Sequence, residues 1–206
     1  MLVIGLTGSI GMGKSTAAAR FKDNGIGVFD ADAAVHELYA GKAVPLIEAA
    51  FPGTTRDGQV DRQSLLAALM KDASGFKRLE AIVHPLVREM EAHFLRSERD
   101  RGALMAVLEI PLLLETGGDK LVDVTVIVSA PVAMQRERVL ARPGMTEAKF
   151  AEIAGRQMPD EEKRQRADFV VDTGGSIADT QAQIDRLVVQ LAGRTGTAYQ
   201  RYWAGA

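Results

Sequence analysis

The 206-residue sequence predicts an α/β fold, in which a five-stranded parallel sheet is flanked by helices. Two observations support this prediction. Short apolar, β-branched segments alternate along the chain with segments of helical pattern, and this alternation is typical of parallel sheets. A glycine-rich loop also follows the first apolar segment and precedes a helix, as in a βαβ unit. The length fits one domain with a small insertion.

The predicted strands are short, apolar and bounded by turn residues. The first two cover residues 2–6 and 26–29, and a helix over residues 15–24 that stops at Gly25 connects them. The other three strands are predicted over residues 103–110, 122–128 and 168–171. Because the strands are parallel, both faces of the sheet are expected to be covered by helices.

The middle of the chain, over residues 33–102, is strongly helical in pattern. Asp57 and Gly58 mark a turn, and Asp61 is predicted to cap a helix over residues 62–71. A long amphipathic segment follows. This block is too long for a single crossover, and it predicts a helical insertion that could close over a substrate.

The last third of the chain carries three helix starts with capping signals. Pro131 opens a helix that runs to residue 141, and Thr146 is predicted to cap a second one through residue 156. Ser176 is predicted to cap a final helix that ends near residue 191.

Composition limits the classes of function. There are 25 Lys and Arg residues against 27 Asp and Glu, which gives a net charge of -2 and predicts no nucleic-acid partner. The absence of cysteine excludes disulfides and thiolate zinc sites. No apolar run is long enough to span a bilayer, and the amino terminus lacks the basic leader of a secretory signal. A cytoplasmic protein without a membrane partner is therefore expected.

The segment GSIGMGKS, residues 8–15, fits the phosphate-binding pattern G-x-x-x-x-G-K-[ST] completely. Glycines let a backbone turn its N–H groups inward around an anion, and the following helix N-terminus adds a favourable dipole. Lys14 would supply a positive charge at the β and γ phosphates, and the Ser15 hydroxyl would bind Mg²⁺. The predicted nucleotide-binding residues are Gly8, Gly11, Met12, Gly13, Lys14, Ser15 and Thr16.

The alternative interpretation of this loop is a glycine-rich connection with an exposed lysine. Its place between a buried strand and a helix favours nucleotide binding. The loop does not define the reaction, since switches, motors and small-molecule kinases share it. A GTP switch needs a guanine-reading segment such as N-K-x-D, and the sequence has none.

Glu109 is the acidic residue that a motor ATPase would use on Mg²⁺ at the end of the strand over residues 103–110. It is followed by IPLLLE rather than by a second adjacent acid. We therefore favour a packed or edge position for Glu109.

Transfer to a hydroxyl needs a carboxylate near the acceptor oxygen. Asp30 and Asp32 follow the second strand, and reacting groups gather at the carboxyl ends of parallel strands. Asp32 is the predicted catalytic carboxylate, and its alternative role is the N-cap of a helix over residues 33–39. Asp30 could instead orient Mg²⁺ through water.

A basic cluster follows the fourth strand. Gln135, Arg138 and Arg142 are spaced by three and four residues, which predicts one helix face. Pro143 and Gly144 then break the helix, so two hinged helices would form a lid whose arginines close onto the phosphates. The alternative is a solvated amphipathic helix.

Taken together, these segments resemble the dephospho-coenzyme A kinase family. The resemblance extends through about Gly175 and rests on six segments in the same order, GLTGSIGMGKST, FDADAAV, IVHPLVR, IPLLLETG, QRERVLARPGMTEAKFAEIAGRQM and EEKRQRADFVVDTGG. Ser9 is a mild departure, at a position where the family more often has glycine.

The resemblance implies phosphorylation of the ribose 3'-hydroxyl of dephospho-coenzyme A by ATP with Mg²⁺, the last step of coenzyme A synthesis. It implies Asp32 as the general base, residues 11–16 as the ATP phosphate site, and Arg138 and Arg142 as lid arginines. Other matches, at His84, Leu112, Leu113, Glu115, Gln157 and Asp168, carry no role that the sequence defines.

The implied organisation is a P-loop kinase fold similar to nucleoside monophosphate kinases. We expect a core of about residues 1–32, 103–131 and 168–193, a helical substrate-binding insertion of about 33–102 and a lid of about 132–167. A monomer or weak homo-oligomer is expected. Two other interpretations stay open, a kinase of another nucleoside or nucleotide and a nucleotide-dependent switch protein.

Overall fold

A computed structural model describes residues 1–205 of the chain. The chain divides into two compact units. The first comprises residues 1–29 together with the chain from residue 95 onward, and the second comprises residues 30–94.

The strands form a five-stranded parallel sheet and a short hairpin. In chain order they are β1 (Leu2–Thr7), β2 (Gly27–Asp30), β3 (Thr55–Arg56), β4 (Gln59–Val60), β5 (Met105–Glu109), β6 (Val124–Ser129) and β7 (Phe169–Asp172). The sheet has the order β2-β5-β1-β6-β7, and β1 pairs in parallel with both β5 and β6. The predicted fold class is confirmed.

Nine α-helices lie among the described residues. They are α1 (Lys14–Asp23), α2 (Ala31–Leu38), α3 (Val44–Ala50), α4 (Arg62–Met70), α5 (Gly75–Asp100), α6 (Val132–Leu140), α7 (Glu147–Gly155), α8 (Asp160–Arg166) and α9 (Ile177–Leu191). Asp61, Thr146 and Ser176 cap α4, α7 and α9 by accepting backbone N–H hydrogen bonds, so these three predictions are confirmed. Helices α3 and α8 were not predicted.

The start of α2 corrects one prediction. The helix begins at Ala31, two residues earlier than predicted, and Asp30 is its N-cap because its carboxylate accepts from the Ala33 N–H at 3.0 Å. The N-cap interpretation of Asp32 is therefore wrong. Asp32 lies in the first turn of α2 with an exposed side chain.

The core of the first unit lies between the sheet and the helices α1 and α9. Buried side chains of β1 and β6 meet Phe21 of α1 and Ile184 of α9 in one apolar cluster. The two helices are also joined at the surface, where the Arg20 guanidinium donates to both carboxylate oxygens of Asp185 at 2.8 and 2.6 Å. The two helices therefore pack side by side on one face of the sheet.

The second unit has its own core and a turn-closed hairpin. Ile47, Leu65 and Val83 are buried in one cluster that joins α3, α4 and α5. The hairpin of β3 and β4 turns at Asp57 and Gly58, whose φ angles are 51° and 76°. Positive φ at both central residues is the geometry of a tight hairpin turn, which confirms the turn predicted from the Asp-Gly pair.

The carboxyl-terminal tail, for which the sequence has no clear pattern, is held by Asp123. The Asp123 carboxylate accepts hydrogen bonds from the backbone N–H groups of Val3, Thr197 and Ala198 at 2.6–2.8 Å. A π-helical turn over Tyr199–Trp203 follows, and the buried Trp203 indole donates to the Leu121 carbonyl at 2.8 Å. The tail therefore completes the packing at the start of β1.

Replacing Asp123 should loosen this tail. We expect Asp123→Ala to lower the free energy of unfolding by about 1–3 kcal/mol, because three backbone donors lose their acceptor. Trp203 is the only tryptophan, so its fluorescence during urea titration reports the change directly. Asp123→Asn keeps one acceptor oxygen and should fall between the variant and the parent. A midpoint unchanged in Asp123→Ala would show that the tail does not depend on this carboxylate.

Glu91 of α5 is a buried acid in the second unit, 5% exposed. Burial raises the pKa of Glu91 to about 7, and the Arg88 guanidinium, 3.8 Å away, acts in the opposite direction without cancelling the shift. The folded protein thus holds a proton that the unfolded chain releases at a lower pH. Stability should fall as pH rises from about 4.5 to about 7 and level off above that range.

We expect Glu91→Gln to remove this pH dependence. Relative to the parent, the variant should gain about 2.5 kcal/mol between pH 5 and pH 8, because an amide carries no charge to bury. Urea unfolding of both proteins at the two pH values measures the difference. A gain of equal size at both pH values would contradict ionisation of Glu91 as the cause.

Candidate active site

The phosphate-binding segment, residues 8–15, lies between the end of β1 and the start of α1. Gly8 packs so closely on Val128 of β6 that an added Cβ would lie 2.4 Å from its Cγ2 atom. Gly11 and Gly13 have φ angles of 77° and 86°, a region that side chains rarely adopt. At these two positions the backbone reverses direction, and α1 begins directly after Gly13.

This geometry creates an anion site of backbone N–H groups. The first two N–H groups of α1, those of Lys14 and Ser15, have no acceptor within the helix, whereas the Thr16 N–H donates to the Gly13 carbonyl at 3.1 Å. The helix dipole places partial positive charge at the same end. Ser15 is exposed, and the Thr16 side chain is half-buried. The loop therefore fits a nucleotide phosphate, as predicted from its sequence.

Lys14 is held by Glu109. Its Nζ atom lies 2.7 Å from the Glu109 Oε1 atom, and both side chains are largely buried. Glu109 ends β5, opposite Leu6 of β1. The sequence favoured a packed position for Glu109, and the structure adds that it is the ion-pair partner of the phosphate-loop lysine.

Ile10 anchors the loop through both of its backbone polar groups. Its N–H donates to the Gln157 Oε1 atom at 3.0 Å, and its carbonyl accepts from the Gln135 Nε2 atom at 2.8 Å. Gln135 is buried on α6, whereas Gln157 lies between α7 and α8. Both amide side chains come from the predicted lid segment, so that segment is tied to the loop.

Met12 is anchored from the last strand of the sheet. The Thr173 hydroxyl donates to the Met12 carbonyl at 2.7 Å, and the Thr173 carbonyl accepts from the Arg138 guanidinium at 2.7 Å. The Thr173 side chain also fills the space beside Gly13, at 3.1–3.2 Å from an added Cβ. Arg138 is thereby connected to the phosphate loop through one residue.

Arg142 differs from its predicted place. Helix α6 ends at Leu140, so Arg142 lies in the following turn with an exposed side chain rather than on the helix face of Gln135 and Arg138. The prediction of one shared helix face was wrong because Ala141 already caps the helix. The structure brings Lys14, Gln135 and Arg138 to the loop and leaves Arg142 at the surface.

The donor atoms near the loop suit Mg²⁺ bound together with a nucleotide. The Ser15 hydroxyl and the Glu109 carboxylate are oxygen ligands, which this ion prefers. No cluster of three metal-ligating side chains occurs within residues 1–205. Mg²⁺ commonly takes only one or two protein ligands and completes its shell with phosphates and water, so these residues fit it.

A buried ion pair contacts the chain next to Gln157. The Lys163 side chain on α8 is fully buried, and its Nζ atom lies 2.8 Å from the Glu115 Oε1 atom. That oxygen also accepts from the Met158 N–H at 2.9 Å, one residue after Gln157. Burial would raise the pKa of Glu115, but Lys163 and the Met158 N–H outweigh it, so this pKa lies below its usual value.

The other residues matched by the family resemblance are structural or exposed. Asp168 accepts from the Thr125 N–H at 2.7 Å and so fixes the pairing of β7 with β6. Leu113 is buried, whereas Leu112 and His84 are exposed. Helix α5 contains His84 and Pro85 without a break.

Thr173 is the site residue that the sequence analysis did not single out. Its signal was available in the Asp-Thr-Gly-Gly segment that ends β7, since strand ends with glycines mark the reacting edge of a parallel sheet. Gln157 and Glu115 were matched to the family pattern, and their contacts supply the role that the sequence could not define.

No helix within the described residues is long and apolar enough to cross a membrane.

The model of the family CoaE, dephospho-CoA kinase, matches residues 2–179. A dephospho-CoA kinase of Mesorhizobium japonicum is 55% identical over 197 residues, covering 96% of this chain and 100% of its own length. One of Rhizobium etli is 58% identical, covering 93% and 94%.

A solved structure agrees with these sequences. The crystal structure of TT1252 from Thermus thermophilus has a TM-score of 0.80 and 36% identity, and it covers 93% of this chain and 98% of its own. The match of family model, sequence and fold extends over nearly the whole chain. The chain belongs to the dephospho-CoA kinase family.

Proposed function

We propose that this protein transfers the γ-phosphoryl group of ATP to the ribose 3'-hydroxyl of dephospho-coenzyme A, giving coenzyme A and ADP. The observation that supports the proposal most is the anchored phosphate loop, in a chain whose relatives are named for this activity. The proposal includes the cytoplasmic location and the monomer or weak homo-oligomer that the sequence analysis expects.

The roles of the donor-side residues follow from charge. Lys14 and the backbone N–H groups of the loop that have no carbonyl acceptor bind the β and γ phosphates, because both present positive charge at the start of α1. Arg138 and Arg142 neutralise the transferred group when the lid closes. Mg²⁺, held by Ser15 and the phosphates, would supply further charge neutralisation.

Asp32 is the proposed general base that accepts the proton of the attacking hydroxyl. Support comes from its exposed carboxylate in the first turn of α2, with its neighbour Asp30 already committed to capping the helix. Since Asp30 bonds to its own helix, Asp32 is the carboxylate of this segment that stays available to a substrate.

A coupled assay of ADP release tests the proposed reaction. We would compare dephospho-coenzyme A, AMP, CMP and adenosine as acceptors. Turnover with dephospho-coenzyme A well above the others supports the proposal. A switch protein would show no acceptor-dependent turnover, and a kinase of another nucleotide would prefer a different acceptor.

Replacing Asp32 should reduce the chemical step. We expect Asp32→Asn and Asp32→Ala to lower kcat by about 10²- to 10⁴-fold with dephospho-coenzyme A, the usual contribution of a positioned base. The matched control is Asp23→Asn, an exposed acid at the end of α1. Near-normal kcat in both Asp32 variants would show that Asp32 is not the base.

The Glu115–Lys163 pair should affect the use of ATP by holding Gln157 in place. We expect Gln157→Ala to lower kcat/KM for ATP by about tenfold, because the Ile10 N–H loses its acceptor. Lys163→Met should have a similar effect, since it frees the segment that carries Gln157. Arg164→Met, the exposed neighbour on α8, is the control.

A double-mutant cycle separates this pathway from a general loss of packing. If Lys163 acts through Gln157, the double variant should be little worse than either single variant. Effects on kcat/KM that simply add would contradict the pathway. Urea unfolding followed by Trp203 fluorescence shows separately how much stability each variant loses.

A further inference from the structure

Three side chains of the second unit form a cluster on α2 and α4. The Arg62 guanidinium lies 2.8 Å from the His36 Nδ1 atom and 5.7 Å from the centre of the Tyr39 ring. Because a guanidinium can only donate, Nδ1 is the acceptor and the His36 Nε2 atom carries the hydrogen. Arg62 and His36 are both exposed.

Arg62 is a cation in an unfavourable place. It is the first residue of α4, where the partial positive charge of the helix end repels it. Within the part of the chain that the structure describes, no carboxylate lies within 4.0 Å of its guanidinium. Its position is set instead by a neutral imidazole and an aromatic ring, neither of which cancels its charge.

The cluster lies beside the proposed base. Asp32 and His36 are four residues apart on α2, so their side chains share one face of the helix at a spacing of about one turn. Arg62 therefore presents donors about one turn along from the Asp32 carboxylate. His36 adds its Nε2–H to the same surface.

We propose that Arg62, oriented by His36 and Tyr39, binds the 5'-diphosphate of the acceptor while Asp32 faces its ribose 3'-hydroxyl. This inference rests on the proposed function. The diphosphate is carried on the 5'-carbon of the same ribose, and that carbon is bonded to C4', next to C3'. Two contacts separated by about one helix turn, roughly 5 Å, therefore suit one ribose. A guanidinium fork suits phosphate oxygens, and its charge would be neutralised only when the acceptor is bound.

The assignment predicts a specific kinetic change. Arg62→Met should raise KM for dephospho-coenzyme A by about tenfold to hundredfold, since a charge-assisted contact is lost. KM for ATP should stay unchanged. Arg62→Lys should recover part of the loss, because it keeps the charge without the fork. In the parent, KM for dephospho-coenzyme A should rise with KCl, and this dependence should weaken in Arg62→Met.

The control is Arg78→Met. Arg78 stacks over the Phe51 ring at 4.6 Å, as Arg62 does over Tyr39, but it pairs with the Asp72 carboxylate at 3.4 Å. This variant should leave both KM values and the salt dependence unchanged. Circular dichroism of each variant checks that the second unit is folded.

Four results would overturn the inference. If Arg62→Met leaves KM for dephospho-coenzyme A unchanged, Arg62 does not contact the acceptor. If KM for ATP rises instead, Arg62 binds the donor nucleotide. An equal loss in Arg78→Met would indicate a general effect of the second unit. If the parent does not phosphorylate dephospho-coenzyme A at all, the proposed function fails first and the inference falls with it.

Discussion

The structure depends on a constraint at the phosphate loop. A backbone that binds an anion must leave its N–H groups unpaired on one side, yet buried polar groups of a backbone need partners. Here the loop is anchored from outside its own segment. Gln135 and Gln157 bond the two polar groups of Ile10, and Thr173 bonds the carbonyl of Met12. These anchoring bonds leave the N–H groups that would face a phosphate available to it.

This arrangement couples distant parts of the chain to the loop. Gln135 comes from α6, Gln157 from the segment before α8, and Thr173 from the end of β7. The segment that carries Gln157 is fixed in turn by the buried pair of Glu115 and Lys163. The predicted lid segment is therefore connected to the loop, and a change in its position would move the Ile10 peptide.

The features predictable from sequence are those set within a few residues. The glycine loop, the β-branched strands and the caps at Asp61, Thr146 and Ser176 all depend on local conformation, and the structure has them where the sequence predicted.

The missed features depend on partners far along the chain. Lys163 is one of several charged residues in EEKRQR, and only packing against Glu115 distinguishes it. The tail had no pattern because its backbone donors bind Asp123, which is over 70 residues away.

Charges at helix starts connect the fold to its function. Helices α2, α7, α8 and α9 begin with acids, in agreement with the helix dipole. Helices α1 and α4 begin with the cations Lys14 and Arg62 instead. Lys14 is balanced by the Glu109 carboxylate at the phosphate loop, whereas Arg62 contacts a neutral imidazole and an aromatic ring.

A residue that contradicts a local preference, such as a cation at the start of a helix, usually lies where a ligand supplies the missing interaction. For Lys14 the proposed ligand is the donor nucleotide. The same logic applied to Arg62 requires an anion on the acceptor, and dephospho-coenzyme A carries one next to the hydroxyl that reacts. Arg62, a cation that does not pair with a carboxylate of the described residues, would therefore make the second unit bind a phosphorylated acceptor more tightly than a plain nucleoside.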